Sequence, residues 1–325
     1  MSCYLVTGAA GFIASRVIHF LLDQGHEVIG IDNFDPVYDL RMKEWRLNQL
    51  QGIEGFTFYR ESICDRSALD RIIQTHSKVD GIINLAAKAG VRNSVLDPWS
   101  YYDTNLTGTL NLLELCRNHG IEKFILASTS SIYGENAPFP TPETTTSSFP
   151  LQPYAASKKA AETLCYSYHF LYKLDITVLR FFTVYGPAGR PRMSIFRFIK
   201  WIEEGKEVRI FGNGEQTRGF TYLDDIAVGT IAALRPLGFE IINLGGHESI
   251  SINSLIKKIE NTLGKQANKK YYPVHPADMS ASWADVSKAR ELLDWEPKIS
   301  LTEGIKRAID WYQQEKDWVS QVDVE

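Results

Sequence analysis

The sequence predicts an α/β fold: a doubly wound parallel sheet with a smaller C-terminal lobe. Three observations carry the prediction. Short apolar, strand-like runs recur at 4–6, 28–31, 56–59, 81–85, 123–128 and 176–181; helical stretches separate them; and the first run leads straight into a glycine turn that heads a helix. Such alternation covers both faces of a sheet with helices and leaves ligands to the carboxyl ends of the strands. After Tyr185-Gly186-Pro187 the pattern breaks into a Gly/Pro/Arg-rich loop, a helix near 195–204, a strand at 208–211 and smaller helices. The expected organisation is a first domain over 1–185, with 220–245 rejoining its sheet, and a ligand-binding lobe over most of 186–325. The loop 134–152, rich in Pro, Thr and Ser, has the length of a functional lid.

The first elements define a binding site. Tyr4-Leu5-Val6 is an apolar strand, and residues 13–22 carry apolar side chains at helical spacing, so Thr7-Gly8-Ala9-Ala10-Gly11-Phe12-Ile13 is a strand-to-helix turn. Gly8 permits the tight turn. Gly11 lets a pyrophosphate approach backbone N–H groups at a helix N-terminus, where the helix dipole favours an anion. Ala14 replaces a third glycine, and its methyl is tolerated with slightly looser packing. The second strand ends at Asp32, whose carboxylate suits a ribose 2′-hydroxyl and repels a 2′-phosphate. The first domain is therefore Rossmann-type, and NAD is favoured over NADP.

Bulk properties narrow the class. A chain of 325 residues, 44% apolar and 23% charged, has the composition of an ordinary globular enzyme and buries a large core. A net charge of -4 and a pI near 6.0 argue against a nucleic-acid or anionic membrane surface. No apolar run approaches the roughly 20 residues of a membrane span. A fold that begins at residue 3 leaves no room for a signal peptide. Cys3, Cys64, Cys116 and Cys165 lack metal-ligand spacing, so no metal is expected, and they read as free buried thiols of a cytoplasmic protein.

The chemistry lies further along. Tyr154-Ala-Ala-Ser-Lys158 puts a phenol and an ammonium one helical turn apart, and the preceding Gln152-Pro153 suits a helix start. The ammonium is expected to lower the tyrosine pKa toward that of a general base. With fifteen tyrosines, chance alone yields roughly one Tyr-x-x-x-Lys spacing, and a second one, Tyr312 with Lys316, does occur. That pair lies in a polar C-terminal helix away from any strand end, and it reads as structural. Tyr154 instead follows the strand ending in Ser128-Thr129-Ser130-Ser131, whose hydroxyls can relay a proton between the phenol and a substrate.

Over nearly its whole length the chain resembles the extended short-chain dehydrogenase/reductase family of nucleotide-sugar epimerases and dehydratases. The matching elements are the Thr7 glycine turn, Asn84-Leu-Ala-Ala, Ser128-Thr-Ser-Ser-Ile-Tyr-Gly134, Tyr154-x-x-x-Lys158 and Arg218-x-Phe-Thr-Tyr-x-Asp-Asp225. The resemblance implies Thr129 as the catalytic hydroxyl and Asn105 as the asparagine that helps to position Lys158. It adds Asn33, Ile63, Leu85, Ala86, Ala87, Lys88 and Phe181 to the NAD site, and a UDP-sugar site formed by Arg92, Thr183, Arg190, Arg192, Met193, Ile210, Phe211, Arg218 and Asp278. It also implies a homodimer joined through a four-helix bundle built from helices around 106–116 and 154–172.

A narrower resemblance is to the UDP-glucuronate 4-epimerase branch, through Asp32-Asn-Phe-Asp-Pro-Val-Tyr-Asp39, Ala87-Lys-Ala-Gly-Val-Arg92, Arg180-Phe-Phe-Thr-Val-Tyr-Gly-Pro187 and Gly189-Arg-Pro-x-Met193. Thr183 stands where glucose-type enzymes usually carry Asn. The branch implies oxidation at C4 with Tyr154 as base through Thr129, a turn of the 4-keto sugar, and re-reduction on its other face. Ser130 and Ser131 stand where dehydratases and decarboxylases carry Asp and Glu; as neutral hydroxyls they do not remove a C5 proton, but they can hold a C6 carboxylate. Departures from the family pattern are Ser62, Arg192, Gly219, His275 and Ala277, which bear on substrate choice. The alternatives are 4-epimerisation of UDP-glucose or UDP-N-acetylglucosamine, another nucleotide-sugar dehydratase, decarboxylase or reductase, and a non-catalytic cofactor-binding scaffold.

Overall fold

The computed structural model describes residues 1–246, 248–273 and 281–324. The first half alternates as the sequence predicts: β1 (Cys3–Thr7), α1 (Phe12–Asp23), β2 (Glu27–Ile31), α2 (Arg41–Asn48), β3 (Phe56–Tyr59), α3 (Arg66–Gln74), β4 (Gly81–Asn84), α4 (Val91–Leu96), α5 (Pro98–Tyr102), a π-helical turn (Asp103–Thr107), α6 (Gly108–His119) and β5 (Lys123–Thr129). A 3₁₀ turn (Ser130–Tyr133), α7 (Pro153–Tyr172), β6 (Asp175–Phe181) and β7 (Thr183–Tyr185) follow. The remainder comprises α8 (Ser194–Glu203), β8 (Glu207–Phe211), β9 (Thr217–Tyr222), α9 (Leu223–Ala232), β10 (Phe239–Leu244), β11 (Ser249–Ser251), α10 (Ile252–Leu263), β12 (Asn268–Tyr272), β13 (Ala281–Ser282), α11 (Ser287–Leu293), α12 (Leu301–Gln314) and α13 (Lys316–Val319).

Among the described residues, seven strands form the main sheet in the order β10-β6-β5-β4-β1-β2-β3, and every pairing in it is parallel. Parallel strands buried on both faces need near-continuous apolar sequence, as in Lys123-Phe-Ile-Leu-Ala-Ser-Thr129, all buried. The strand order reverses between β1 and β4, which opens a crevice at their carboxyl ends.

The division into lobes differs in detail from expectation. β10 does rejoin the sheet, alongside β6, and α9 places Ile226 and Ala227 in the first core. Residues 220–222 do not: they extend β9, which pairs with β7, β11 and β13 in a separate sheet. The first core also draws on Ala284, Val286, Ala289, Leu293 and Trp295 from near the C-terminal end. α2 serves both lobes, with Met42 in the second core and Leu47 packed with Ala10 and Phe34. The Tyr312 assignment needs one amendment. α12 is amphipathic rather than polar, its Tyr312 is buried and donates to Glu204, and Lys316 starts the next helix, where it pairs with Glu203. Cys64 is exposed, unlike the other three cysteines.

A buried ion pair joins the layers of the first lobe. Arg180 on β6 forms a two-pronged pair with Glu162 on α7, with Nε to Oε1 at 3.0 Å and Nη2 to Oε2 at 2.8 Å, and both residues are 2% exposed. Ser128 on β5 donates to the same carboxylate at 2.6 Å. Burial opposes ionisation of Glu162, but the guanidinium and the hydroxyl outweigh it and hold the carboxyl below its usual range. Arg180 Nη1 also donates to the Tyr133 hydroxyl at 3.0 Å, which in turn donates to Asn243 on β10 at 2.6 Å. Breaking one half of such a pair strands a buried charge. Arg180→Met is expected to cost about 3–5 kcal/mol in urea unfolding, and Arg180→Met with Glu162→Leu to recover most of it. A double variant as unstable as the sum of the singles would contradict that account.

Candidate active site

A cleft of about 420 Å³ runs along the carboxyl ends of the strands. The residues expected to meet a dinucleotide converge on it: Gly8, Gly11, Phe12, Ile13, Asp32, Asn33, Ile63, Leu85, Ala86, Ala87, Lys88, Tyr154, Lys158 and Phe181. Thr129, Ser130, Ser131, Thr183, Arg190 and Met193 line the same cleft. Ser62 joins them beside Ile63.

The glycine turn is as tight as its sequence demands. Gly8 has φ +71°, and a Cβ there would lie 2.9 Å from the Ala86 nitrogen. Gly11 N–H closes on the Gly8 carbonyl at 2.6 Å. No side chain caps the N-terminus of α1 at Gly11, which leaves its first-turn N–H groups to an anion. Asp32 is buried; it accepts from Phe34 N–H at 2.8 Å, Lys43 Nζ at 3.0 Å and Ala10 N–H at 3.2 Å. Its Oδ2 carries only the last of these bonds, so it keeps capacity for another donor. Lys88 pairs with Asp35 at 2.9 Å. The turn and the carboxylate fit a dinucleotide.

Helix α7, with Pro153 in its first turn, carries Tyr154 and Lys158 on one face. The Tyr154 phenol lines the cleft together with Thr129, the last residue of β5. Thr129 Oγ1 donates to Ser131 Oγ at 3.2 Å and accepts from its N–H at 3.2 Å, so these two hydroxyls lie together at the strand end. The expected lowering of the tyrosine pKa by Lys158 is not found. Burial raises the phenol above its ordinary value, opposed by the Thr129 hydroxyl and by the Arg190 cation. Lys158 is 2% exposed, and burial pulls its ammonium down to about 8, against Cys165 and Glu162, which raise it.

A polar chain that sequence reasoning missed supports this pair. Thr7 Oγ1 donates to Asn84 at 2.8 Å, Asn84 to Thr109 at 3.1 Å, and Thr109 to the Asn105 carbonyl at 2.7 Å. The Asn105 carboxamide pairs with both backbone groups of Lys88, at 2.9 and 3.0 Å, and donates to Ser157 Oγ at 3.0 Å. Asn105 thus reaches the neighbour of Lys158, not the lysine itself. The only signal in the sequence was the family match.

Several substrate-side expectations do not reach the cleft. Arg92 is exposed and lies over the Phe211 ring at 5.3 Å, on a face expected to meet a uracil. Ile210 is 1% exposed and belongs to the second core, because alternation along β8 turns it away from its neighbour Phe211. Arg192 is exposed outside the cleft lining, and Arg218 donates to the Thr217 carbonyl at 2.7 Å, also outside it. At position 219 a Cβ would lie 2.7 Å from that of Trp283 and 2.8 Å from the Gly246 carbonyl, which accounts for the glycine. Asp278, His275 and Ala277 lie outside the described residues.

Residues 5–308 match the sequence model of the GDP-mannose 4,6 dehydratase family. The UDP-glucuronate 4-epimerase of Thermodesulfobacterium geofontis (strain OPF15) is 54% identical over 325 residues, covering 100% of both chains. The crystal structure of UDP-glucuronic acid 4-epimerase from Bacillus cereus, in complex with UDP-glucuronic acid and NAD, is similar with a TM-score of 0.90 at 40% identity, covering 96% of this chain and 99% of that one. UDP-glucose 4-epimerase from Thermotoga maritima with UDP-glucose matches at 0.89 and 35% identity, covering 97% and 99%.

The buried ammonium has a consequence for stability. Because its folded-state value of about 8 lies below the ordinary 10.5, charging it costs folding free energy below pH 8, and the cost fades between pH 8 and 10.5. Lys158→Met is expected to raise the Tm of cofactor-free protein at pH 7 by roughly 2 °C or more, with a gap that narrows above pH 8. A lower Tm at pH 7 would contradict this.

Proposed function

The chain belongs to the GDP-mannose 4,6 dehydratase family, and within it we propose that it is an NAD-dependent nucleotide-sugar 4-epimerase that converts UDP-glucuronate to UDP-galacturonate. The observation that carries the reading is the strand end of β5, where Thr129, Ser130 and Ser131 share the cleft with Tyr154, Lys158, Thr183 and Arg190. The family supplies the reaction class. The hydroxyls, with no carboxylate among them, supply the choice within it.

NAD, when bound, supplies the redox couple that oxidises C4 and reduces it again. The residues that would hold it belong to the first lobe: Gly8, Gly11 and the uncapped N-terminus of α1 would take the pyrophosphate and Asp32 the ribose, with Asn33, Ile63, Leu85, Ala86, Ala87, Lys88 and Phe181 lining the cleft. Tyr154 takes the C4 hydroxyl proton, directly or through Thr129. Arg190 favours its phenolate, and Lys158 orients the cofactor and holds positive charge beside it. Asn105, through Lys88 and Ser157, positions both sides of the cleft. Ser130, Ser131, Thr183 and Arg190 hold the C6 carboxylate of the sugar. That restraint keeps the carboxylate of a β-keto acid intermediate solvated by donors, which opposes loss of CO₂. The second lobe contributes Met193 to the nucleotide end.

Two further properties belong to the same reading. The chain forms a homodimer through α6 and α7, supported by exposed Leu110, Tyr166, Phe170, Leu171 and Tyr172 on those helices. The reaction is placed in the cytoplasm, supported by free thiols at Cys3, Cys116 and Cys165. Among the described residues no helix is long and apolar enough to cross a membrane.

Two experiments test the assignment. Purified protein incubated with a panel of UDP-sugars is expected to turn over UDP-glucuronate with kcat/KM at least roughly tenfold above UDP-glucose, since a charge-assisted hydrogen bond contributes about 1.5–3 kcal/mol. Ser130→Ala with Ser131→Ala should erode that preference; faster epimerisation of UDP-glucose or UDP-N-acetylglucosamine by the unmodified enzyme overturns the uronate assignment. Tyr154→Phe should lower kcat by about 10² or more while NAD content and Tm hold, with Tyr312→Phe as the control. Equal losses from the two changes would remove the role given to Tyr154.

A further inference from the structure

Helix α2 reads as a solvated surface helix, with four charged residues in Arg41-Met-Lys-Glu-Trp-Arg-Leu-Asn48, yet Arg46 is 2% exposed. Its donors are spread over two distant segments. Nε and Nη2 reach the Ala188 carbonyl at 3.0 and 2.7 Å, and Nη1 reaches the Ala10 carbonyl at 3.3 Å and the Tyr38 hydroxyl at 2.8 Å. Ala10 lies inside the glycine turn of the first lobe. Ala188 and Gly189 form the turn that delivers Arg190, and Ala188 is held at φ +51°, a left-handed conformation that costs free energy for a residue with a Cβ. The guanidinium carbon also lies over the Phe12 and Tyr38 rings, at 5.8 and 5.5 Å from their centroids. Beyond that turn the Arg190 guanidinium donates to the Ala89 carbonyl at 3.0 Å and lines the cleft with Tyr154.

We propose that Arg46 is a positioning residue for turnover: its buried guanidinium clamps the Ala188 turn to the glycine turn and thereby sets Arg190 in the cleft relative to the cofactor loop. This rests on the reading of Arg190 as a cation that meets the sugar. A planar fork with five donors can satisfy carbonyls on two segments at once; an ammonium at the same depth cannot span them. Without the clamp the strained turn relaxes, and Arg190 loses its set position while the sheet and the glycine turn keep their own hydrogen bonds.

The test is a double-mutant cycle. Arg46→Met, Arg190→Ala and the double variant are compared for kcat and KM with UDP-glucuronate, for NAD released per chain on denaturation, and for Tm. Arg46→Met is expected to lower kcat/KM about tenfold or more, mainly through KM, with NAD content held. In the Arg190→Ala background the same change should cost less than about twofold, because its route of action is already gone. Equal fold losses in both backgrounds, or a fall in NAD content that parallels the loss of activity, overturn the proposal. If Arg46→Met does not fold, Arg46→Lys is put through the same cycle and must show a smaller loss that also vanishes in the Arg190→Ala background. The cycle is repeated with UDP-glucose should the unmodified enzyme prefer it, so a wrong sugar and a wrong role for Arg46 give different results.

Discussion

The catalytic geometry depends on one buried charge pair. Glu162 lies one helical turn beyond Lys158 on α7, and Ser128, which it binds, immediately precedes Thr129 on β5. The Arg180 fork therefore fixes the rotation of the helix that carries the phenol and ammonium against the strand that carries the hydroxyls. Its third arm runs through Tyr133 to Asn243, whose backbone N–H donates to Glu143 in the loop 134–152 at 2.7 Å. Strand, helix, loop and sheet edge share one electrostatic centre. An apolar substitute could fill its volume but would not specify that rotation.

The main sheet was legible in the sequence because a parallel strand buried on both faces has no polar alternation to blur it. The glycine turn was legible because φ +71° at Gly8, with a Cβ there lying 2.9 Å from the Ala86 nitrogen, leaves room only for glycine. Tyr154 and Lys158 were legible because helical spacing is local. The rest was hidden by distance along the chain. Glu162, Arg180, Lys43 and Arg46 look like surface charges, yet Lys43 pairs with Asp32, Glu162 with Arg180 and Arg46 with Ala188, at 11, 18 and 142 residues along the chain. The substrate side failed for a related reason: which arginine of a Gly/Pro/Arg-rich loop reaches a cleft depends on turns such as that at Ala188, and the cleft took Arg190 while leaving Arg192 outside. Family likeness singled out Asn105 as helping to position Lys158, and the structure puts its carboxamide on the Lys88 backbone and Ser157 Oγ rather than on that lysine.

The cleft also concentrates groups that the fold alone would not choose. Lys158 is buried with its charge opposed by desolvation, and the Tyr154 phenol is held above its ordinary value. Both conditions cost stability or readiness in the protein by itself; negative charge beside Lys158 relieves the first, whereas positive charge beside Tyr154, of the kind Arg190 supplies, relieves the second. Sites that must stabilise developing charge are commonly strained in this way, because the environment that makes an ion reactive is one that water would otherwise make comfortable.

The return of β10 to the edge of β6 governs the order in which the molecule can be assembled. A growing chain has made six strands of the main sheet by residue 181, but β6 presents an unpaired edge until 239–244 are available. The intervening stretch supplies α8, β8, β9 and α9, so the second lobe begins to form before the first is closed. An open parallel edge is a site for mispairing with other chains. The lobes are thus not exchangeable cassettes: a cut after β7 would leave the first with an exposed edge and the second without the sheet on which α9 docks, and recombination between relatives would have to carry the crossing strand along.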